Sequence, residues 1–389
     1  MNFALTPEQQ ALKDSVRRFC EREYGFEARM GLLRSPEGWS RKTWGTFAEL
    51  GWLGAGLAEA RGGYGGGAAE NALILEELGR SLVLEPFLAC AVGAAQVLAA
   101  LPPSDAVDTL LAEIIAGDTI AVLAHGEAAA RGETDSNIET RAERMGSGWR
   151  LNGDKTFVFG APGAGALLVS ARTGGDGADR EGISLFRLDP GLAGVEGHDY
   201  RAVDGRRVAD LRLTDVILPP EALISPEGGA IEAVELALDH LVVGLCAEGL
   251  GAMDAALWLT RDYLKTRKQF GVTLNTFQAL QHRMADMLVE TELARSMLLR
   301  ALAALADPDP RERRKGVSAA KVQIGEAGYF VGGQAVQLHG GIGVTEEYAV
   351  GHYFKRLTLV RGLFGATDVH LARFARLSHP SRNLMELSQ

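Results

Sequence analysis

Residues 263–282, YLKTRKQFGVTLNTFQALQH, gather three cations, Lys265, Arg267 and Lys268, ahead of Phe270 and Gly271. Two readings fit that spacing. Cations in a last helical turn complement the negative end of the helix dipole, and a glycine just beyond suits the left-handed C′ position. In the other reading the segment is half of an anion site: Arg267 has no acidic residue one turn away, and its planar fork suits a diphosphate. A second segment, AVQLHGGIGVTEEYAVGHYFKR (335–356), poses the same choice. Helical periodicity stops at Gln337-Leu338-His339, and Gly340, Gly341 and Gly343 follow. They either cap a helix or let backbone amides approach a ligand closely.

Other chemistries lack their residues. There is no Walker phosphate loop, no HExxH or comparable metal pattern among the eight histidines, and no Gly-x-Ser-x-Gly elbow. The GGYGGG stretch (62–67) has no strand-then-helix context for a dinucleotide fingerprint. A redox cofactor would have to bind without a Rossmann unit.

The elements that must position these residues fall into three regions. The first is helical: Thr6-Pro7-Glu8 reads as an N-cap with a first-turn proline, and Leu12, Val16 and Phe19 follow at helical spacing. Trp44, Phe47, Leu50 and Leu53 continue the pattern up to the break at RGGYGGG, and further helices are expected over 72–82 and 104–116, the last ending at Gly117. Between Thr119 and Pro220 short apolar or alternating runs predict a small antiparallel sandwich or barrel, with Asn152-Gly153 as a hairpin turn. From Gly229 onward long periodic stretches at 230–269, 276–305, 311–339 and 366–378 predict an antiparallel bundle, with Asn275 and Gln278 capping one helix start. The expected domains are 1–118, helical; 119–228, β; and 229–389, a helical bundle.

A chain of 389 residues, 47% hydrophobic and 23% charged, can bury a large core. Its formal charge of −10 argues against nucleic acid or an anionic membrane as partner. Cys20, Cys90 and Cys246 lie far apart in apolar surroundings, as buried thiols in a reducing compartment do. The first ten residues carry no secretory pattern, and the apolar run 87–101 is too short to span a bilayer. A cytoplasmic protein is expected.

RKQFG, FQALQH, AVQLHGGIGVTEEY and ELGWLGAGLAEARGGYGGG…LEELGR, spread over nearly the whole chain, resemble the acyl-CoA dehydrogenase family. That resemblance implies an α+β fold: an N-terminal all-α domain, a middle antiparallel β-domain and a C-terminal four-helix bundle. It also implies FAD as cofactor, an acyl-CoA substrate, an electron-transferring flavoprotein as acceptor, and an oligomer. Within the family, YLKTRKQFG, VSAAKVQIG and LHGGIGVTEEYAVGHYFKRLT are similar to the subgroup of pimeloyl-CoA dehydrogenase small subunits. Carried over residue by residue, Arg267 and Phe270 match an arginine and a phenylalanine that reach across a subunit interface to FAD, the arginine pairing with its diphosphate. Gln278 matches a glutamine along the adenosine part, and Gln337, Gly340 and Gly341 match a Gln-x-x-Gly-Gly that holds the adenine side.

The chain departs from the family in ordered places. The β-domain motif Thr-Glu-Pro-x-Ala-Gly-Ser-Asp is replaced by LAHGEAAARGETDSNIE (123–139), and Trp-Ile-Thr-Asn-Gly by Phe157-Val158-Phe159-Gly160-Ala161, which keeps the aromatic and loses the hydroxyl. Removing an α-proton needs a carboxylate in a dry pocket. The family's usual glutamate position is occupied by Phe364, and the alternative one, in the first bundle helix, by Leu241. Asp368, four residues after Phe364, is a weak substitute; Asp239, Glu248, His339 and His370 read as helix residues rather than proton carriers, and Arg131, Arg141 and Arg144 as surface charge. Elements that serve a subunit's own flavin ring are eroded, whereas those lent to a neighbour's flavin are intact. The expectation is an FAD-dependent acyl-CoA dehydrogenase small subunit working with a larger catalytic one. A self-sufficient homo-oligomer with a displaced base and a non-catalytic structural relative are the alternatives.

Overall fold

The computed structural model describes residues 4–128, 136–177 and 179–379. The first helices are α1 (Pro7–Glu23), α2 (Phe26–Arg34), α3 (Arg41–Glu49) and α4 (Ala68–Arg80). A π-helical turn (Leu88–Ala94) runs into α5 (Ala95–Ala100), and α6 is Asp105–Ala116. Seven strands follow: β1 (Ala121–Ala124), β2 (Arg141–Met145), β3 (Gly148–Phe159), β4 (Ala166–Arg172), β5 (Ile183–Leu188), β6 (Val195–Arg201) and β7 (Arg207–Leu218). The chain continues as α7 (Ile231–Thr266), the short strands β8 (Lys268–Gln269) and β9 (Val272–Thr273), α8 (Gln278–Leu305), α9 (Pro310–His339), α10 (Ala349–Gly362) and α11 (Thr367–Ser378). Helical N-terminal, β middle and helical C-terminal parts occur in the expected order. Thr6 caps α1 as its sequence predicts: its hydroxyl accepts from the Gln9 amide while the Gln9 side chain accepts from Thr6 N–H.

The residues divide into two compact units, one built from Met1–Met30, Ala72–Val83 and Val242–Gln389, the other from Gly31–Asn71 and Leu84–Leu241. In the first, α9 packs against α8, α10 and α11, and its core holds Leu250, Met253, Ile324, Val331, Leu357 and Val360. The C-terminal part of α4 crosses α7 at backbone contact. A Cβ on Gly79 would fall 2.0 Å from the Glu248 carbonyl oxygen, and one on Gly251 would fall 1.8 Å from that of Glu76. Only glycine fits these two positions.

In the second unit the strands form one sheet, ordered β1-β4-β2-β3-β7-β6, with β5 on the other side of β4. Four of the pairings are antiparallel; β4 runs parallel to β1 and, at Arg172, to β2. Asn152-Gly153 does not turn the chain. The β2–β3 turn lies at Gly146-Ser147, and β3 continues through Asn152 with a register shift against β7. The Asn152 side chain is taken up by β7, accepting from Asp215 N–H at 2.8 Å and donating to Asp215 Oδ1 at 3.2 Å. Gly153 leaves room for Thr140, which a Cβ would meet at 2.5 Å. Dipeptide chemistry suited to a hairpin here makes a bulge. Inside the sheet, fully buried Lys155 pairs with Glu127 at 2.6 Å, and Glu127 also accepts from the Thr140 hydroxyl and the Glu139 and Thr140 amides. Burial lowers the Lys155 pKa to about 8. Cys20, Cys90 and Cys246 are buried and form no disulfide.

Candidate functional site: a nucleotide half-site at the helix ends

The cationic stretch is not a glycine-capped helix end. α7 stops at Thr266, whose hydroxyl donates back to Asp262 and Tyr263 carbonyls at 3.2 and 3.1 Å. The chain then makes a ribbon: Lys268 pairs with Thr273 and Gln269 with Val272. Its two-residue turn has φ +54° at Phe270 and +84° at Gly271, both left-handed, as tight hairpins require. Gly271 therefore serves a strand turn rather than a helix terminus. For Phe270 the left-handed conformation costs about 1–2 kcal/mol, yet its side chain is 90% exposed, with its ring edge-on to that of Phe277 at 6.2 Å. Among the described residues the exposed Arg267 guanidinium makes no hydrogen bond or ion pair.

α8 begins at exposed Gln278, but Asn275 does not cap it. The N-cap residue is Phe277, with no side-chain bond. A 3-10 turn (Leu274–Thr276), closed by Thr276 donating to the Thr273 carbonyl, displaces Asn275 from the helix start. The Asn275 carbonyl accepts from the Gln281 side chain at 2.8 Å, and its Oδ1 is buried without a hydrogen-bond partner.

At the far end of α9, Gln337 is exposed and His339 is 3% exposed. Gly340 adopts φ +65° and ψ −142°, glycine territory, and its N–H caps the Gln337 carbonyl. Cβ atoms on Gly340 or Gly341 would meet nothing within 4 Å, so the backbone faces open space. The two segments meet through Tyr263, one turn before Arg267. Its hydroxyl donates to the His339 carbonyl at 3.2 Å, and its ring stacks on the His339 imidazole at 4.4 Å. Neither composition nor periodicity singled out Tyr263; its i, i+4 spacing to Arg267 was the available signal.

The expected positions for a base hold no base. Phe364 sits in the connection between α10 and α11 with φ +56°. His370 Nε2 donates to its carbonyl at 2.9 Å, and Lys321 Nζ donates to the Val360 and Arg361 carbonyls at 2.6 and 3.0 Å. Because Phe364 lies outside the helix, Asp368 does not share a helical face with it. Asp368 is in the first turn of α11, where its Oδ1 accepts from Val369 N–H at 3.0 Å, an N-terminal role the dipole favours. Leu241 is buried, and Gly93 approaches it so closely that a Cβ there would lie 3.1 Å away. Glu248 is buried and held by Arg356 at 2.5 and 3.1 Å; Asp239 is buried.

A carbonyl can only accept, so the bond to Ala335 O at 2.8 Å puts the His339 proton on Nδ1 and leaves Nε2 bare, buried and unpartnered. By the same rule His370 carries its proton on Nε2 and accepts from Ser318 at 3.2 Å on Nδ1. Burial lowers both pKa values, that of His370 to about 3.

In the β-domain, Phe157 has φ +51°; its N–H donates to Asp210 at 2.8 Å and its ring meets Tyr200. Arg144 is engaged by Glu227 and lies over Trp149, and Arg141 is exposed on β2. Arg131 and the middle of the altered motif, residues 129–135, lie outside the described residues. The six expected contact residues thus sit at exposed, polar or glycine-lined ends of α7, α8 and α9. A partnerless guanidinium, and a positive-φ glycine whose backbone faces open space, fit an anionic nucleotide's outer half.

The chain matches the acyl-CoA dehydrogenase N-terminal domain over residues 6–118, the middle domain over 123–216 and the C-terminal domain over 229–378. It is 30% identical over 382 residues to a probable acyl-CoA dehydrogenase, YngJ, of Bacillus subtilis, covering 97% of this chain and 99% of that one. A solved Tcur3481–Tcur3483 steroid ACAD variant is similar at 31% identity and TM-score 0.85, covering 96% and 98% of the two chains. The ChsE4–ChsE5 complex of Mycobacterium tuberculosis is similar at 26% identity and TM-score 0.88, covering 98% and 100%. With all three domains matched along its length, the chain belongs to the acyl-CoA dehydrogenase family.

Proposed function

We propose that this chain is the small subunit of a mixed FAD-dependent acyl-CoA dehydrogenase, with residues 1–118, 119–228 and 229–389 as its domains. It lends Arg267, Phe270, Gln278, Gln337, Gly340 and Gly341 to a flavin whose ring lies in a larger partner. Bound there, FAD would supply the hydride-accepting chemistry for the acyl-CoA β-carbon, with an electron-transferring flavoprotein as the electron acceptor. This chain's own part is to grip the diphosphate with Arg267 and to offer backbone beside the adenine at Gly340 and Gly341. The partner supplies the carboxylate for the α-proton, since Phe364 and Leu241 cannot accept one.

The observation that carries this reading is the Arg267–Phe270 hairpin. It holds a costly left-handed phenylalanine out of its own fold beside an unpaired guanidinium, and strain of this kind is kept where another molecule uses it. Two similar structures, named for Tcur3481–Tcur3483 and ChsE4–ChsE5, each carry two protein names, which favours the mixed assembly. The pimeloyl-CoA dehydrogenase resemblance makes a dicarboxylyl-CoA the first substrate to test, in a cytoplasmic setting.

The test is to purify the chain alone and co-expressed with a larger family member encoded beside it, and to record visible spectra with and without acyl-CoA. Flavin and bleaching only in the co-expressed sample support the proposal. Full flavin and bleaching in the isolated chain replace it with a homo-oligomer carrying a displaced base. No flavin in either sample leaves a non-catalytic relative.

A further inference from the structure

The C-terminal end of α9 is a poor place for an anion. The last carbonyls of a helix carry its negative partial charge and have no intrahelical donor. Yet Gly340 and Gly341, immediately beyond, are the backbone offered to a nucleotide. The structure answers that conflict with three donors. Gly340 N–H covers the Gln337 carbonyl, the His339 ring Nδ1–H reinforces Ala335, and the Tyr263 hydroxyl covers His339 itself. The last donor comes from another helix, four residues before Arg267.

Tyr263 is also the centre of an aromatic group. Its ring lies 4.4 Å from His339 and 6.3 Å from Tyr348, the residue that opens α10, and His339 and Tyr348 are 5.1 Å apart. The ends of α7 and α9 and the start of α10 are thereby fixed to one another by three rings. The bare Nε2 of His339 shows that the imidazole is held for its stacking and its single Nδ1–H bond, because a buried lone pair without a donor is a net cost. The ribbon with Arg267 is anchored to the same helix end: Arg267 N–H donates to the Tyr263 carbonyl at 2.8 Å.

We propose that Tyr263 is a positioning residue for the nucleotide half-site, acting through His339. It satisfies the His339 carbonyl at the end of α9 and sets the Gly340–Gly341 backbone and the Arg267 ribbon in one register, so that both reach the same bound nucleotide. This inference rests on the FAD reading above.

The experiment measures FAD dissociation constants, by flavin fluorescence after removal and re-addition of FAD, on whichever assembly carries flavin. Wild type, Tyr263→Phe, Tyr263→Leu and Arg267→Ala are compared, and each flavin-free form is melted. Tyr263→Phe keeps the ring and loses one hydroxyl, so FAD should bind about threefold to tenfold more weakly, the range expected for a single hydrogen bond. The flavin-free melting temperature should stay at the wild-type value. Tyr263→Leu should weaken FAD further. Variants that bind FAD like wild type, with or without a lower melting temperature, overturn the proposal and leave Tyr263 a packing residue. If those variants bind normally while Arg267→Ala does not, the FAD reading stands and this one falls. A wild-type assembly that takes up no FAD overturns both.

Discussion

Replacing Phe270 by glycine should separate folding from function. In the isolated chain three small terms nearly cancel. Relief of the left-handed conformation at φ +54° returns about 1–2 kcal/mol. Loss of the edge-on contact with Phe277 costs about 0.5–1.5 kcal/mol. The added freedom of glycine in the unfolded chain costs about 0.5–1 kcal/mol. With the side chain 90% exposed there is almost no burial to lose, so the flavin-free melting temperature should move by no more than a few degrees. In the assembly the same ring is expected to be buried against flavin and partner. Burying a phenylalanine is worth about 1.5–3 kcal/mol, so FAD or subunit affinity should fall about tenfold to a hundredfold. Differential scanning fluorimetry of the isolated chain and fluorescence titration of FAD into the assembly read the two effects. A large loss of melting temperature with unchanged affinity would refute the reasoning and make Phe270 a stability residue.

Gly251→Ala places a methyl 1.8 Å from the Glu76 carbonyl oxygen; overpacking at this crossing should cost about 1–3 kcal/mol or more in chemical denaturation. Arg356→Met strands the buried Glu248 carboxylate and should cost about 3–5 kcal/mol, whereas Arg356→Met combined with Glu248→Leu should recover most of it. The recovery, read from a double-mutant cycle, shows Glu248 to be a structural ion-pair member. His370 has its pKa lowered from 6.5 to about 3 by burial, so the folded state favours the neutral ring. Its contribution is complete above pH 6.5 and is lost as pH falls toward 3. His370→Asn should therefore flatten the acid limb of stability by up to one proton, about 1.4 kcal/mol per pH unit, in denaturant titrations between pH 7 and 4.

Order of elements was legible because it depends on periodicity and termini. Thr6-Pro7 with Gln9 starts α1, Gly117 ends α6 in a left-handed conformation, and the long bundle helices lie close to their expected spans. Errors arose where short dipeptides were read without their tertiary partners. Asn152-Gly153 has hairpin chemistry, but Asp215 across the sheet and Thr140 alongside turn it into a bulge. Asn275 has capping chemistry, but a 3-10 turn moves it off the helix start. Gly271 has helix-end chemistry, yet Lys268–Thr273 pairing makes it a strand turn. At the candidate site, Arg267 and the paired glycines were visible as residue types in suggestive places. Tyr263 was not, because its role depends on meeting His339, 76 residues away. Likewise the loss of a base at Phe364 and Leu241 shows in the sequence, whereas the anchoring of Phe364 by His370 depends on how α11 folds back on the connection before it.

The most direct measurement is the FAD affinity of the co-expressed complex carrying Arg267→Ala in this chain alone. If the guanidinium grips a diphosphate whose ring end lies in the partner, the complex should still assemble but release its flavin on dilution, with affinity reduced about tenfold or more, as for loss of a charge-assisted contact. Wild-type flavin retention in that variant would contradict the account.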